Sequence, residues 1–576
     1  MHIIDWTVLI AILVTIVWYG IWKTRNVNTT ESFLRGEQTL PWYTIGLSVM
    51  ATQASAITFL STPGQAFDDG MRFAQFYFGL PIAMIILCVF FLPRYYNLKV
   101  YTAYEFLEDR FDLKTRSLTA SLFLVQRGLA AGLTIFAPSI ILSSILGWNL
   151  NITNLLIGSL VIIYTVSGGT NAVSQTQKQQ MVVILTGMFV AFLILVNKLP
   201  PNITLSDAVD IAGNMGKLNV VDFEFDLSNR YNIWSALLGG TFLFLSYFGT
   251  DQSQVQRYLS GKSLTQSRLG LLFNGIFKVP MQFAILFIGI MVFVFYQFND
   301  APLHFNKANV EVVEQSPFAA EYNDLEKELN LNAEFKRDAI ATVIDNKRSG
   351  KDNKEAVARM NSALAKEKAL RGDAKELIKT VSEKGTIKLE AEDSDYVFIT
   401  FVTDHLPIGL IGLLLAVIFS AAMSSTASEL NALATTSLID IYKRSYVKDQ
   451  TDQHYLKMSK WFTFGWGIIA LLFATFASLF DNLIEAVNII GSLFYGTILG
   501  VFMIAFFLKK IRGRGTFYGA ILGEAGVLLL FYLNMTGVIE LAYLWLNLIG
   551  CVMVIFFALL IQTITKGTDK LNADKI

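Results

Sequence analysis

Charge is scarce in this sequence. Only 16% of its 576 residues are Asp, Glu, Lys or Arg, whereas an average soluble domain carries about 25%. So thin a supply argues against an ordinary water-soluble enzyme. Cysteine is nearly missing. Cys88 and Cys551 both sit inside apolar runs, which argues against a disulfide framework or a thiolate metal site. The four histidines are scattered without metal-ligand spacing, so no catalytic centre, enzymatic activity or cofactor is expected. The 46 basic and 46 acidic residues cancel, and net charge names no nucleic-acid partner. The opening stretch "MHIIDWTVLIAILVTIVWYGIW" has no basic residue ahead of its apolar run and no small-residue cleavage site. It reads as a retained first span rather than a signal peptide.

What the chain does have is long apolar runs. Each is near the ~20 residues that cross a bilayer as a helix, which predicts an all-α, multi-pass membrane protein in contact with a lipid bilayer. Thirteen spans are expected, near 6–22, 41–67, 73–93, 118–146, 153–169, 175–197, 232–256, 269–296, 397–440, 457–480, 485–508, 516–534 and 538–563. The ninth is too long to lie wholly in lipid, so its "DIYKR" end is expected in water. With the N-terminus outside, 24 Lys and Arg fall in inner segments, and the short outer loops carry four: Arg72, Lys198, Lys217 and Arg230. This bias predicts the N-terminus outside and the C-terminus inside. Arg127 and Lys278 lie within spans.

Residues 297–395 are the one shift in composition, with both charge signs mixed among Leu, Ala and Ile at helical spacing. They read as short helices broken at "RSGKD" and "RGD". They form a solvated outer cap, or a docking site for an unknown partner.

Two spans are unusually polar. In "FSAAMSSTASELN", Ala421, Ser424, Ser425 and Ser428 share one helix face by their i, i+3, i+4, i+7 spacing. Their hydroxyls can ligate a cation, or they can serve close helix packing and back-bond to their own helix. In "PWYTIGLSVMATQASAITFLSTPGQAF", Pro63-Gly64 follows a polar centre. A break there would free carbonyls suited to a small hard cation; an ordinary proline-containing helix is the alternative.

At these motifs the chain resembles the sodium/solute symporters. "AAMSSTASELNALATTSLIDIYKR" is similar to their signature helix, and "RGEQTLPWYTIGLSVMAT", "YTAYEFLEDRFD", "YTVSGGTNAV" and "SQVQRYLSGKS" support the match. "ATQASAI" and "TIFAPSIIL" are most similar to the multivitamin, iodide and monocarboxylate carriers, and "SAITF" also resembles bacterial sialic acid carriers. The resemblance implies a LeuT-type core of two inverted five-helix repeats with core helices 1 and 6 broken. The expected layout is an extra helix in 1–30, core helices 1–7 in 31–296, the outer insertion in 297–395, core helices 8–10 in 396–514, and two further helices with a tail in 515–576. It also implies sodium-driven alternating access in a membrane, expected here to be a bacterial inner membrane.

Carried over by position, the sodium ligands are the carbonyls of Ala51, Ala54 and Ala421 and the hydroxyls of Ser424 and Ser425. Sodium is the coupling ion and the one metal implied. The substrate pocket falls on Gln53, Ser55, Thr58, Phe73, Tyr77, Tyr247 and Asn488, with Phe73 as outer lid. Sialic acid carriers hold a carboxylate with an arginine where this chain has Ala130. Arg127 lies nearly one turn earlier, so it orients an anionic solute or has a structural partner. Lys278 invites the same two readings. Ile57 and Thr58 depart from the galactose and glucose carriers. The expected solute is small, polar and possibly anionic, of a carboxylate, sialic acid or vitamin kind, with a sugar or polyol as alternative. A channel or a solute sensor are further alternatives. A second sodium site known in the family is degenerate here: its "TD" aspartate is Gln177, and of its two later serines one is Ala427 and only Ser428 remains. One sodium per solute is therefore expected.

Overall fold

A computed structural model gives the fold. It describes residues 1–24, 30, 34, 39–98, 100–385, 389–476 and 482–565, with side chains at all of these except 20, 21, 23, 24, 144–146, 164, 167–172, 175 and 565. Among the described residues eight helices are long and apolar enough to cross a membrane, and Ile3–Tyr19, Leu150–Ile163 and Ser235–Gly249 are shorter apolar helices.

Helix α1 (Ile3–Thr24) packs on the signature helix. Buried Asp5 fixes it there, accepting from the Gly409 N–H at 2.6 Å and the Gly412 N–H at 3.3 Å. Core helix 1 comes in two pieces, α2 (Trp42–Gln53) and α3 (Ala56–Asp69). The break lies at Ala54–Ser55, not at Pro63-Gly64. Ser55 is extended, at φ −79° and ψ 174°. Pro63 and Gly64 stay inside α3 and serve close packing. A Cβ on Gly64 would lie 1.8 Å from the Ser394 carbonyl oxygen, and one on Gly289 would lie 2.3 Å from the Pro63 carbonyl oxygen. A 3-10 turn (Gly70–Phe78) then leads into α4 (Gly79–Ile86), whose helical path runs on to Leu98.

Helix α5 (Leu113–Leu146) is followed by α6 (Leu150–Asn197), one helical run of 48 residues where two spans are expected. Along it, Asn154 reaches the carbonyl of Ala474, Gln177 bonds Ser428, and Gly187 abuts Val417. Core helix 6 is broken too. After a π-helical turn come α7 (Thr241–Gly249) and α8 (Gln252–Leu259), with Asp251 between them capping Ser253. Helix α9 (Leu264–Phe298) lines α2 and α3.

The insertion is a hairpin of α10 (Ala319–Arg348) and α11 (Lys354–Lys384). It breaks at "RSGKD" but not at "RGD". Gly372 stays helical because its cost of about 1 kcal/mol is met by burial of Leu370, Ala374 and Leu377 beside it. The hairpin docks on the connection after α6: Arg348 reaches Asp207 at 2.8 Å and the Asn202 carbonyl at 2.7 Å. At its centre Lys336 pairs with Glu367, which also accepts from Arg371 at 3.2 Å. Burial alone would raise the Glu367 carboxyl, but Lys336 and Arg371 outweigh it and hold the group below its ordinary value. The pair's contribution is therefore complete above the ordinary carboxylate range and is lost as pH falls below it. Glu367→Gln leaves Lys336 buried without its counter-charge. It is expected to cost the hairpin about 3–5 kcal/mol, seen as faster hydrogen exchange across α10 and α11. Unchanged exchange would refute the role given to this pair.

The expected ninth span is two helices, α12 (Ser394–His405) and α13 (Leu410–Thr436), the latter extended by a π-helical stretch to Tyr446. Pro407 and Gly409, at φ 89°, separate them. The "DIYKR" end does not simply project into water. Asp440 is fully buried and accepts from Thr102 and from Arg116 Nε, both at 2.8 Å. Helices α14 (Asp452–Ala474), α15 (Leu483–Phe507), α16 (Gly513–Met535) and α17 (Trp545–Thr565) complete the fold.

Candidate functional site

The site begins at the break in core helix 1. Because α2 stops at Gln53, the Ser55 N–H turns to the Gln53 carbonyl at 3.0 Å. The carbonyl of Ala51 is thereby released. On the facing helix, Ser424 and Ser425 donate to that oxygen at 3.2 and 3.5 Å. Ala54 and Ala421 are fully buried, Ala54 at the break and Ala421 one turn before Ser425. Carbonyls and hydroxyls that can rotate to offer lone pairs make a hard-oxygen donor set fit for sodium.

Beside it stands Gln177. Its amide nitrogen donates to Ser428 Oγ at 2.7 Å, Thr52 Oγ1 at 3.1 Å and the Ser424 carbonyl at 3.3 Å. Its oxygen accepts from Ser48. The nitrogen sits where three oxygens converge, the place a second cation would need. Ala427 offers no ligand and packs with Val173.

A cavity of about 80 Å³ opens at the same break. Gln53, Ser55, Thr58, Tyr77, Arg127, Tyr247 and Asn488 all line it. Phe73 does not. It stacks on Phe76 with centroids 5.5 Å apart and meets Tyr231 edge-on at 5.2 Å, so it caps the lining rings from outside. Lys278 also lies off the cavity. Its ammonium is 6.0 Å from the Tyr77 ring, with no hydrogen-bond partner among the described residues.

Arg127 forms the floor, and it is already engaged. It pairs with Asp251, meets Glu429 at 3.1 Å and donates to Tyr495. Its plane also stacks 5.3 Å from the Tyr247 ring. A structural partner, the second of the two expected readings, is what the geometry supplies. Glu429, Asp251, Tyr495 and Thr52 were missed by sequence reasoning, which tallied basic residues within spans but not acidic ones. Glu429 stands inside the signature helix, and an intramembrane acid is as informative as an intramembrane base.

A second, wider cavity of about 300 Å³ is lined by Asp68, Arg72, Lys217, Arg230 and Lys368, among others. Lys368 belongs to α11, so the insertion lines part of this cavity.

Comparison with known proteins agrees with this architecture. Of the solved structures, a Na+-coupled sialic acid symporter in a substrate-bound outward-open state superposes with a TM-score of 0.74 at 21% identity, over 97% of this chain and 98% of that one. The shared fold is LeuT-type. The human sodium/iodide cotransporter is 32% identical over 300 residues, 51% of this chain and 45% of that protein. The bovine sodium-coupled monocarboxylate transporter 2 is 25% identical over 520 residues, 90% of this chain and 69% of that protein. The profile described as the sodium:solute symporter family matches residues 33–316 and 374–523, leaving most of the hairpin unmatched. Matched over most of its length, this chain belongs to the sodium:solute symporter family.

Proposed function

We propose that this protein is a sodium-coupled symporter of a small polar organic solute, working by alternating access. The observation that carries this reading is the cluster of Ala51, Ser424 and Ser425 oxygens at a helix break that also opens onto the cavity. Ion and solute thus share one broken helix. Ion binding from Ala51 to Ser425 would order the break that shapes the solute's wall.

The cycle carries one sodium per solute. The second site lacks a carboxylate to offset a buried cation, and the Gln177 amide already occupies the three oxygens there. The test is a reversal-potential measurement in proteoliposomes under opposed sodium and solute gradients. A slope of one ion per solute is expected, and a slope of two would refute this stoichiometry.

A solute anchored through its carboxylate on Arg127 would compete with Asp251, Glu429 and Tyr495, which already engage both terminal nitrogens and leave Nε as the donor without a partner among the described residues. The sugar or polyol alternative fits the cavity better, through the Gln53 oxygen, which has no partner among the described residues, and through its hydroxyls and aromatic walls.

A further inference from the structure

The floor of the cavity sets two acids, Asp251 and Glu429, against one base, Arg127. Asp251 accepts from Ser253 N–H and Oγ on one oxygen, at 2.9 and 2.7 Å, and from Arg127 and the Tyr495 hydroxyl on the other. Glu429 accepts from Arg127 on one oxygen and from Thr134 on the other, at 2.9 Å. Asp251 has donors on both oxygens, as an ionised carboxylate does; Glu429 accepts from Arg127, and the Thr134 hydroxyl facing its other oxygen also reaches the Ala131 carbonyl at 2.8 Å. One guanidinium therefore stands against two acids, all three side chains being buried. Of the two acids, Glu429 lines the cavity and Asp251 does not. Lys278, on α9, lies behind Tyr77.

We infer that Glu429 is the specificity-determining residue of this pocket: it selects a solute that presents a hydrogen-bond donor and carries no net negative charge. Resting on the sodium-coupled reading above, this inference names the substrate class of that same site. An incoming carboxylate or halide would meet Glu429 wherever it met Arg127. A hydroxyl or ammonium donor finds an acceptor in Glu429, a second in the Gln53 oxygen, which has no partner among the described residues, and ring faces in Tyr77, Phe76 and Phe244. The cavity has room for about five to eight water-sized groups, so the solute is small. Glu429 also stands one turn from Ser425 on α13, near enough to attract the ion held there. Sodium binding then offsets the surplus charge before the solute arrives.

The experiment is thermal melting of the purified full chain, titrated with sodium chloride in a potassium chloride background. Glu429→Gln keeps the shape and the Thr134 contact and leaves Arg127 paired with Asp251. It is expected to raise the half-saturating sodium concentration at least fivefold, and Glu429→Asp is expected to recover most of that. Sodium titration of Glu429→Gln indistinguishable from the natural protein overturns the inference. With sodium saturating, lactate, iodide and N-acetylneuraminate are expected to give no shift in the natural protein, and a shift from any of them overturns it. In the same plates glycerol and ethylamine, both small enough for the cavity, separate a hydroxyl donor from an ammonium donor. If the natural protein shows no sodium response at all, the sodium-coupled reading falls and this inference falls with it. An anion response with the sodium response intact removes the inference alone.

Discussion

Ser424→Ala and Ser425→Ala each raise the sodium concentration for half-maximal transport at least fivefold. The reason is local. Both hydroxyls converge on the Ala51 carbonyl released by the break in core helix 1. Nothing apolar can replace a ligand oxygen in a fully buried position, and its loss costs about 1–3 kcal/mol, a factor of roughly 5 to 160 in binding. Folding should hardly change, because Ser→Ala at a close-packed helix face removes one atom and suits the contact. The informative comparison is Thr426→Ala. Thr426 is the adjacent residue on α13, but its hydroxyl turns to Thr134 at 3.1 Å. It should leave sodium dependence within threefold. Transport with unaltered sodium dependence in both serine variants would remove the site.

Arg127→Ala is expected to abolish the folded, transport-competent protein rather than only weaken solute binding. Removing the guanidinium strands Asp251 and Glu429 as two buried carboxylates without a counter-charge. Breaking one such pair costs about 3–5 kcal/mol, against a total stability of about 5–15 kcal/mol. The loss should appear as aggregation on extraction and a melting temperature too low to measure. Combining Arg127→Met with Asp251→Asn and Glu429→Gln removes all three charges together. That triple variant should regain a monodisperse, cooperatively melting protein without regaining transport. If Arg127→Ala is instead as stable as the natural chain, the cluster is not the structural tie described above.

The two halves of the fold were unequally legible. Apolar runs are a property of composition over ~20 residues, so the membrane class could be read directly. The serine face on α13 could also be read, because helical spacing fixes which side chains share a face. The break at Ala54–Ser55 could not. It contains neither glycine nor proline, and what holds it open is the partner helix and the packing of α3 on α12 and α9 through Gly64 and Gly289. Tertiary contacts set that position, and the local breaker signal at Pro63 pointed nine residues too far along. Pro407 and Gly409 were the opposite case, a breaker pair in plain view within a run that hydropathy alone joins. The acids of the floor were visible as letters. Their meaning depended on Arg127, 124 and 302 residues away in sequence, and only the fold brings them together.

The amide of Gln177 has a thermodynamic corollary. Each sodium ion that crosses multiplies the attainable inside-to-outside ratio of solute by the sodium ratio and by a voltage factor. At 100 mV that factor is worth about 2.3 kcal/mol per charge, or roughly 50-fold. A second ion would square the product. The proposed one-ion cycle, with the Gln177 nitrogen bonded to Thr52, Ser424 and Ser428, gives up that square. In return it admits half as much sodium for every molecule taken up. Such a carrier suits a nutrient that is abundant outside or consumed quickly inside, where throughput matters more than the final concentration reached.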